Sequence, residues 1–133
     1  MLECIEKFFL YSAHFDSVED FVWHNDQLNY NASWSLLLAI GEESKRLSTS
    51  LKEGFPMIPW HSIAGMRNFP ARDYRGIDFD LVYEVIHTNL PELKNVLIQI
   101  QMVDRIGYSE SLLSEALKSP YYQHIQYLRT KLK

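Results

Sequence analysis

Between Trp60 and Asp78 the chain gathers groups suited to phosphate chemistry: Arg67, Asn68, Arg72, Asp73, Tyr74 and Arg75 within nine positions. From Trp60 to Ile77, three arginines against Asp73 leave a local charge of +2, in a chain whose formal net charge is −4. A guanidinium presents a planar fork of donors that matches two oxygens of a phosphate. A tyrosine adds a hydroxyl and a ring face on which a base can stack. The same residues in a surface loop also serve as ordinary salt-bridge partners, and their types and spacing alone leave both readings open.

Other chemistries find less support. The histidines, His14, His24, His61, His87 and His124, are never three or four positions from one another, and none is spaced with Cys4 as zinc sites require. His61 lies six positions before Arg67 and is expected on the outer face of a short helix. Asp73, Asp78 and Asp80 lack the spacing and the closing Glu of a calcium loop. No glycine-rich phosphate loop is present. Ser62 and Cys4 have no base within reach of sequence reasoning. No metal and no cofactor are expected.

The elements that must position these groups read as helices. The chain of 133 residues suits one compact unit, and its 47% hydrophobic content is too high for a disordered chain. One cysteine excludes an internal disulfide and fits a reducing, cytoplasmic setting. No apolar run approaches the ~20 residues of a membrane span, and Glu3, Glu6 and Lys7 spoil a signal peptide.

Leu2, Ile5 and Phe8 recur at helical spacing and predict a first helix from about Leu2 to His14. Asp16 or Ser17 caps a short turn from Val18 to Trp23. A long helix follows from Asn29 or Asn31 to about Leu51, burying Ser33, Leu37, Ile40, Ser44, Leu47 and Leu51. Gly54, Pro56 and Pro59 break it, and Pro59 starts a helix from Trp60 to about Asn68. Asp78 caps a helix from Phe79 to about Thr88, and Pro91 kinks or restarts it. Leu93, Val96, Leu97, Ile100 and Val103 carry the next one. Ser119-Pro120 divides two short tail helices, Ser109 to Leu117 and Tyr121 to Leu132, whose basic end is expected to be a solvated face. Phe8, Phe9, Tyr11, Phe15, Phe21 and Trp23 are expected in the core. The predicted class is all-α, a bundle of four or five helices, with residues 1–104 as the main domain and 105–133 as a helical tail.

The stretch from Arg67 to Tyr74 resembles the signature of the HepT-like branch of HEPN toxins: an arginine, a polar residue, several variable residues, a histidine, one residue, then a tyrosine. Arg67 and Asn68 match its start and Tyr74 its end. Blocks around it are similar too: Ile58-Pro59-Trp60, Gly76-Ile77-Asp78, Gly41-Glu42-Glu43-Ser44 upstream and Leu90-Pro91-Glu92-Leu93 downstream. The likeness runs from about Leu2 to Gln101. It implies a homodimeric, metal-independent RNA endonuclease, the toxin of a toxin–antitoxin pair. It also implies a minimal nucleotidyltransferase antitoxin as partner, which adenylylates the motif tyrosine, here Tyr74.

The chain departs from that pattern at one decisive position. Arg72 stands where the family has its histidine, and Pro70 replaces the aliphatic residue two positions earlier. In this chemistry a 2′-hydroxyl attacks the adjacent phosphate. Histidine moves the proton while arginine steadies the developing charge. Arg67 keeps the second role, with Asn68 in support. Arg72 does not take the first, because a guanidinium does not deprotonate in proteins. The expectation is an impaired nuclease whose Arg67, Arg72 and Arg75 still grip RNA. The alternative is a non-catalytic helical binding partner of a nucleotidyltransferase.

Overall fold

In a computed structural model, residues 1–65, 76–103 and 110–131 are described, and every regular element among them is helical. They run α1 (Leu2–Ser12), α2 (Val18–Ser44), α3 (Thr49–Gly54), α4 (Trp60–Ala64) and α5 (Phe79–Glu84). A π-helical turn, Val85–Asn89, joins α5 to α6 (Leu90–Val103). Then come α7 (Glu110–Ala116), a 3₁₀ turn at Pro120–Ile125 and α8 (Leu128–Lys131). The all-α class is as the sequence predicts. Among the described residues, α1, α2 and α6 are the long helices, and short ones close the frame around them.

The long second helix is two helices in one. Ser17 caps its start, its hydroxyl accepting from the Asp20 amide. His24 is then extended, and Asn25, Asp26 and Gln27 follow in left-handed geometry with φ of 49°, 54° and 66°. Asn and Asp visit that region more readily than other residues, because their short side chains can bond locally. The predicted separation into Val18 to Trp23 and a later long segment therefore corresponds to this break. From Leu28 onward the expected face, Ser33, Leu37, Ile40 and Ser44, is buried. The segment ends at Ser44 rather than near Leu51. Lys45, Arg46 and Leu47 tighten into bonds to the carbonyls three residues back, and the Ser48 hydroxyl accepts from the Leu51 amide to start α3. A serine at that position competes with helix continuation and then caps the next one.

The π turn answers Pro91. A proline in a regular helix lacks its donor and its ring collides with the carbonyl four residues back. Here the helix widens instead, and the Leu90 amide reaches the Val85 carbonyl five residues back. The α-helical run thus breaks into a π turn and restarts at Leu90, just before the proline, as the sequence predicts.

Two clusters make the core. The larger joins Leu2, Ile5 and Phe8 of α1, Leu37 and Ile40 of α2, Ile58, Ile63, and the inward face of α6. The smaller joins Phe21, Val22 and Tyr30 of α2 to Val82 of α5. Of the aromatics predicted inside, Phe8 and Phe21 are fully buried, whereas Trp23 is 54% exposed. It sits at the end of the first α2 segment, just before the break turns the chain.

The tail packs into the larger cluster. Leu117, Ile125 and Leu128 are buried there, each burial worth about 1.5–3 kcal/mol. Arg129 is exposed, as its basic character suggests, and its guanidinium donates to the Leu117 carbonyl at 3.0 Å. The solvated face is thus one side of a stretch whose other side is core. Glu3, only 2% exposed, accepts from the His124 amide at 3.0 Å and meets the same residue's Nδ1. Tyr127 donates to Glu6 at 2.8 Å, and Lys94 pairs with the same carboxylate oxygen at 2.7 Å. Burial first, then the bond to Glu6, pushes the Tyr127 phenol well above its ordinary value.

Candidate nucleic-acid site

Arg67, Asn68, Arg72, Tyr74 and Arg75 all lie outside the described residues, within 66–75. What the structure places is the pair of helices on either side of them. α4 leads in. Pro59 precedes its first turn, and Trp60 locks it to the end of α3 by donating from Nε1 to the Lys52 and Phe55 carbonyls at 3.2 and 3.1 Å. Ile63 buries the inner side of α4 in the larger cluster. His61 is exposed on the same helix. The predicted helix to about Asn68 is described only as far as Ala64, followed by Gly65, whose amide bonds back to the His61 and Ile63 carbonyls.

α5 leads out. Gly76 and Asp78 are exposed, and the Asp78 carboxylate accepts from the Leu81 amide at 3.1 Å, the cap expected from the sequence. Val82 pins α5 into the smaller cluster, against Phe21, Val22 and Tyr30 of α2. Both α4 and α5 therefore pack on α2. The described helices before and after residues 66–75 are thus anchored on α2, each by a separate part of the core.

Two polar pairings escaped the sequence reading. Tyr83 and His87 stack with ring centroids 4.1 Å apart; their four-residue spacing on one helix was a signal that could have found them. Glu3 and His124 are 121 positions apart, and no local pattern connects them. Among the described residues no group of histidine, cysteine and carboxylate side chains is arranged to hold a metal.

A model of the family described as Ribonuclease HepT-like matches residues 1–100. The chain belongs to the HepT-like ribonuclease family. A relative from Methanocaldococcus jannaschii named as a putative RNase is 30% identical over 98 residues, covering 66% of this chain and 89% of its own. Another putative RNase, from Caldanaerobacter subterraneus subsp. tengcongensis, is 34% identical over 84 residues, covering 63% of this chain and 73% of its own. A probable ribonuclease HepT of Thermococcus cleftensis is 34% identical over 55 residues, covering 41% of this chain and half of its own. No solved structure matches. The HepT-like match ends at residue 100, before the tail helices α7 and α8. No helix among the described residues is long and apolar enough to cross a membrane.

Proposed function

We propose that this HepT-like chain is the toxin-type member of a HEPN toxin–antitoxin pair, an RNA-binding homodimer whose cleavage is disabled at Arg72. The observation that carries the reading is family membership over residues 1–100; the resemblance of Arg67 to Tyr74 to the family motif, which puts Arg72 at the histidine position, supports it. Arg67 holds the scissile phosphate with Asn68 in support, and Arg72 and Arg75 add to the grip on RNA. No group at the motif position takes the proton from the 2′-hydroxyl, and the lack of a positioned base costs about 10²–10⁴-fold in rate. The reaction needs neither metal nor cofactor.

Tyr74 is the acceptor for an AMP group delivered by a minimal nucleotidyltransferase partner. The added phosphodiester places negative charge and bulk where an RNA phosphate would bind, so modification and RNA oppose each other. Residues 1–104 form the HEPN unit and 105–133 an appended tail, and the protein acts in the cytoplasm. Arg72 also favours a second reading, a non-catalytic helical binding partner of the nucleotidyltransferase.

The deciding experiment is RNA cleavage by Arg72→His beside the protein as it stands, each with and without Arg67→Ala. Cleavage gained with histidine and lost again with Arg67→Ala supports the disabled nuclease. Cleavage by the unaltered chain at a rate matching Arg72→His overturns it. A folded Arg72→His protein that cuts nothing favours the binding partner.

A further inference from the structure

The helical run beyond Asp78 turns a strip of side chains away from the core. Asp80, Tyr83, Glu84 and His87 are all exposed and recur at the spacing of one helix face. Tyr83 is 55% exposed although one side of its ring meets His87 at 4.1 Å, so its open area lies on the side away from that histidine. A carboxylate stands one turn before the tyrosine and another directly after it.

Among the described residues, the two segments beside the strip carry charge of one sign, while Arg75 immediately precedes the second of them in sequence. No lysine or arginine occurs from Phe8 to Ser44 or from Gly76 to Leu93. Those two segments supply every residue of the smaller core cluster. Asp16, Glu19, Asp20 and Asp26 are exposed on the α2 side of the same cluster. A field of this kind repels an RNA backbone and draws cations. An open tyrosine face flanked by carboxylates has a more specific complement. A guanidinium is planar, stacks on an aromatic face, and offers forked donors to an adjacent carboxylate.

We infer that the Asp80–Tyr83–Glu84–His87 strip is a docking surface for a polypeptide partner that presents arginine, the guanidinium stacking on Tyr83 and bonding to Asp80 or Glu84. The inference goes beyond the ribonuclease reading, and neither depends on the other. Under the modification reading, Tyr74 precedes α5 by five positions. A partner gripping this strip is then tethered close to the acceptor, since a chain extends at most about 3.5 Å per residue.

The test is an amide-shift titration of the full chain with a glycine-spaced triarginine peptide, beside its trilysine counterpart and a single-stranded oligonucleotide. The arginine peptide is expected to shift amides from Asp80 to Thr88 and to bind about two- to fivefold tighter than the lysine peptide, the scale of an exposed cation–π contact. Tyr83→Ala, truncating an exposed ring, should remove that preference. Glu84→Lys should weaken both peptides. Equal binding of the two peptides overturns the inference, as does a preference that survives Tyr83→Ala. Shifts of the same amides by the oligonucleotide would reassign the strip to RNA. A change of oligomeric state in Tyr83→Ala, with peptide binding intact, would reassign it to a second copy of the chain. RNA cleavage by Arg72→His leaves this titration untouched in either outcome.

Discussion

Leu128 and Val82 are almost equally dry, at 2% and 3% exposure, yet they sit in regions built differently. The larger cluster is aliphatic, draws on both ends of the chain, and is bordered by satisfied polar pairs: Glu3 with His124, Glu6 with Tyr127 and Lys94. The smaller is half aromatic, Phe21 and Tyr30 beside Val22 and Val82, and it lies beside a backbone break in left-handed geometry. Gln27 in that break has a buried Nε2 with no hydrogen-bond partner. The left-handed backbone belongs to the smaller region, and further along α2 the buried Ser33 Oγ also lacks a hydrogen-bond partner. The described helices on either side of residues 66–75 are anchored one in each cluster, α4 through Ile63 and α5 through Val82.

The contrast breaks most readily in the large cluster. Phe8→Ala should cost about 3–5 kcal/mol and Leu128→Ala about 2–5 kcal/mol in denaturant unfolding. Val82→Ala should cost about 2 kcal/mol, near the value of its lost methyl groups. Equal losses for Leu128 and Val82 would argue against two regions of different quality.

Glu3→Gln should cost about 1–3 kcal/mol, because it leaves His124 facing a weaker acceptor in a buried setting. Limited proteolysis should then cut the tail before the α1–α2 core. A melt unchanged by Glu3→Gln would make the tail a passive cover.

The smaller region should respond with the opposite sign. Gln27→Gly places a residue with no left-handed penalty at φ 66° and removes the unsatisfied amide. A gain of about 1 kcal/mol is expected in the same unfolding assay. A loss would mean that the break is not strained.

The smallest effect concerns pH. The Tyr127 phenol titrates higher when folded than when unfolded, where it ionises near pH 10. The folded chain keeps a proton that the unfolded chain releases, so stability is intact below about pH 10 and falls as pH rises above it. Tyr127→Phe should flatten that alkaline decline. Tyr30, raised by burial alone, contributes to what remains.

Much of this architecture was legible because it is written in local patterns. Ser17 and Asp78 cap the helices they were expected to cap, since a short oxygen acceptor before an apolar-periodic stretch satisfies free amides wherever it occurs. The buried face of α2 followed from spacing. The helix boundary at Ser44 was missed because Leu47 and Leu51 read as a continuation of the same face, whereas Ser48 between them caps the next helix. At the candidate site the sequence supplies the residue types, while the structure describes the helices on either side of them. Tyr83 and His87 were within reach of the four-residue rule; Glu3 and His124 were not.

By itself the sequence determined the helical class, the caps and the family, because each depends on neighbours within a few positions or on blocks in a set order. Tertiary structure alone decided where the tail goes, which carboxylates are buried, and which aromatic faces stay open. Those outcomes depend on groups far apart in the chain competing for the same apolar surface. Trp23 shows the rule: a large apolar ring, expected inside, is 54% exposed while Phe21 and Val22 beside it are buried in the smaller cluster.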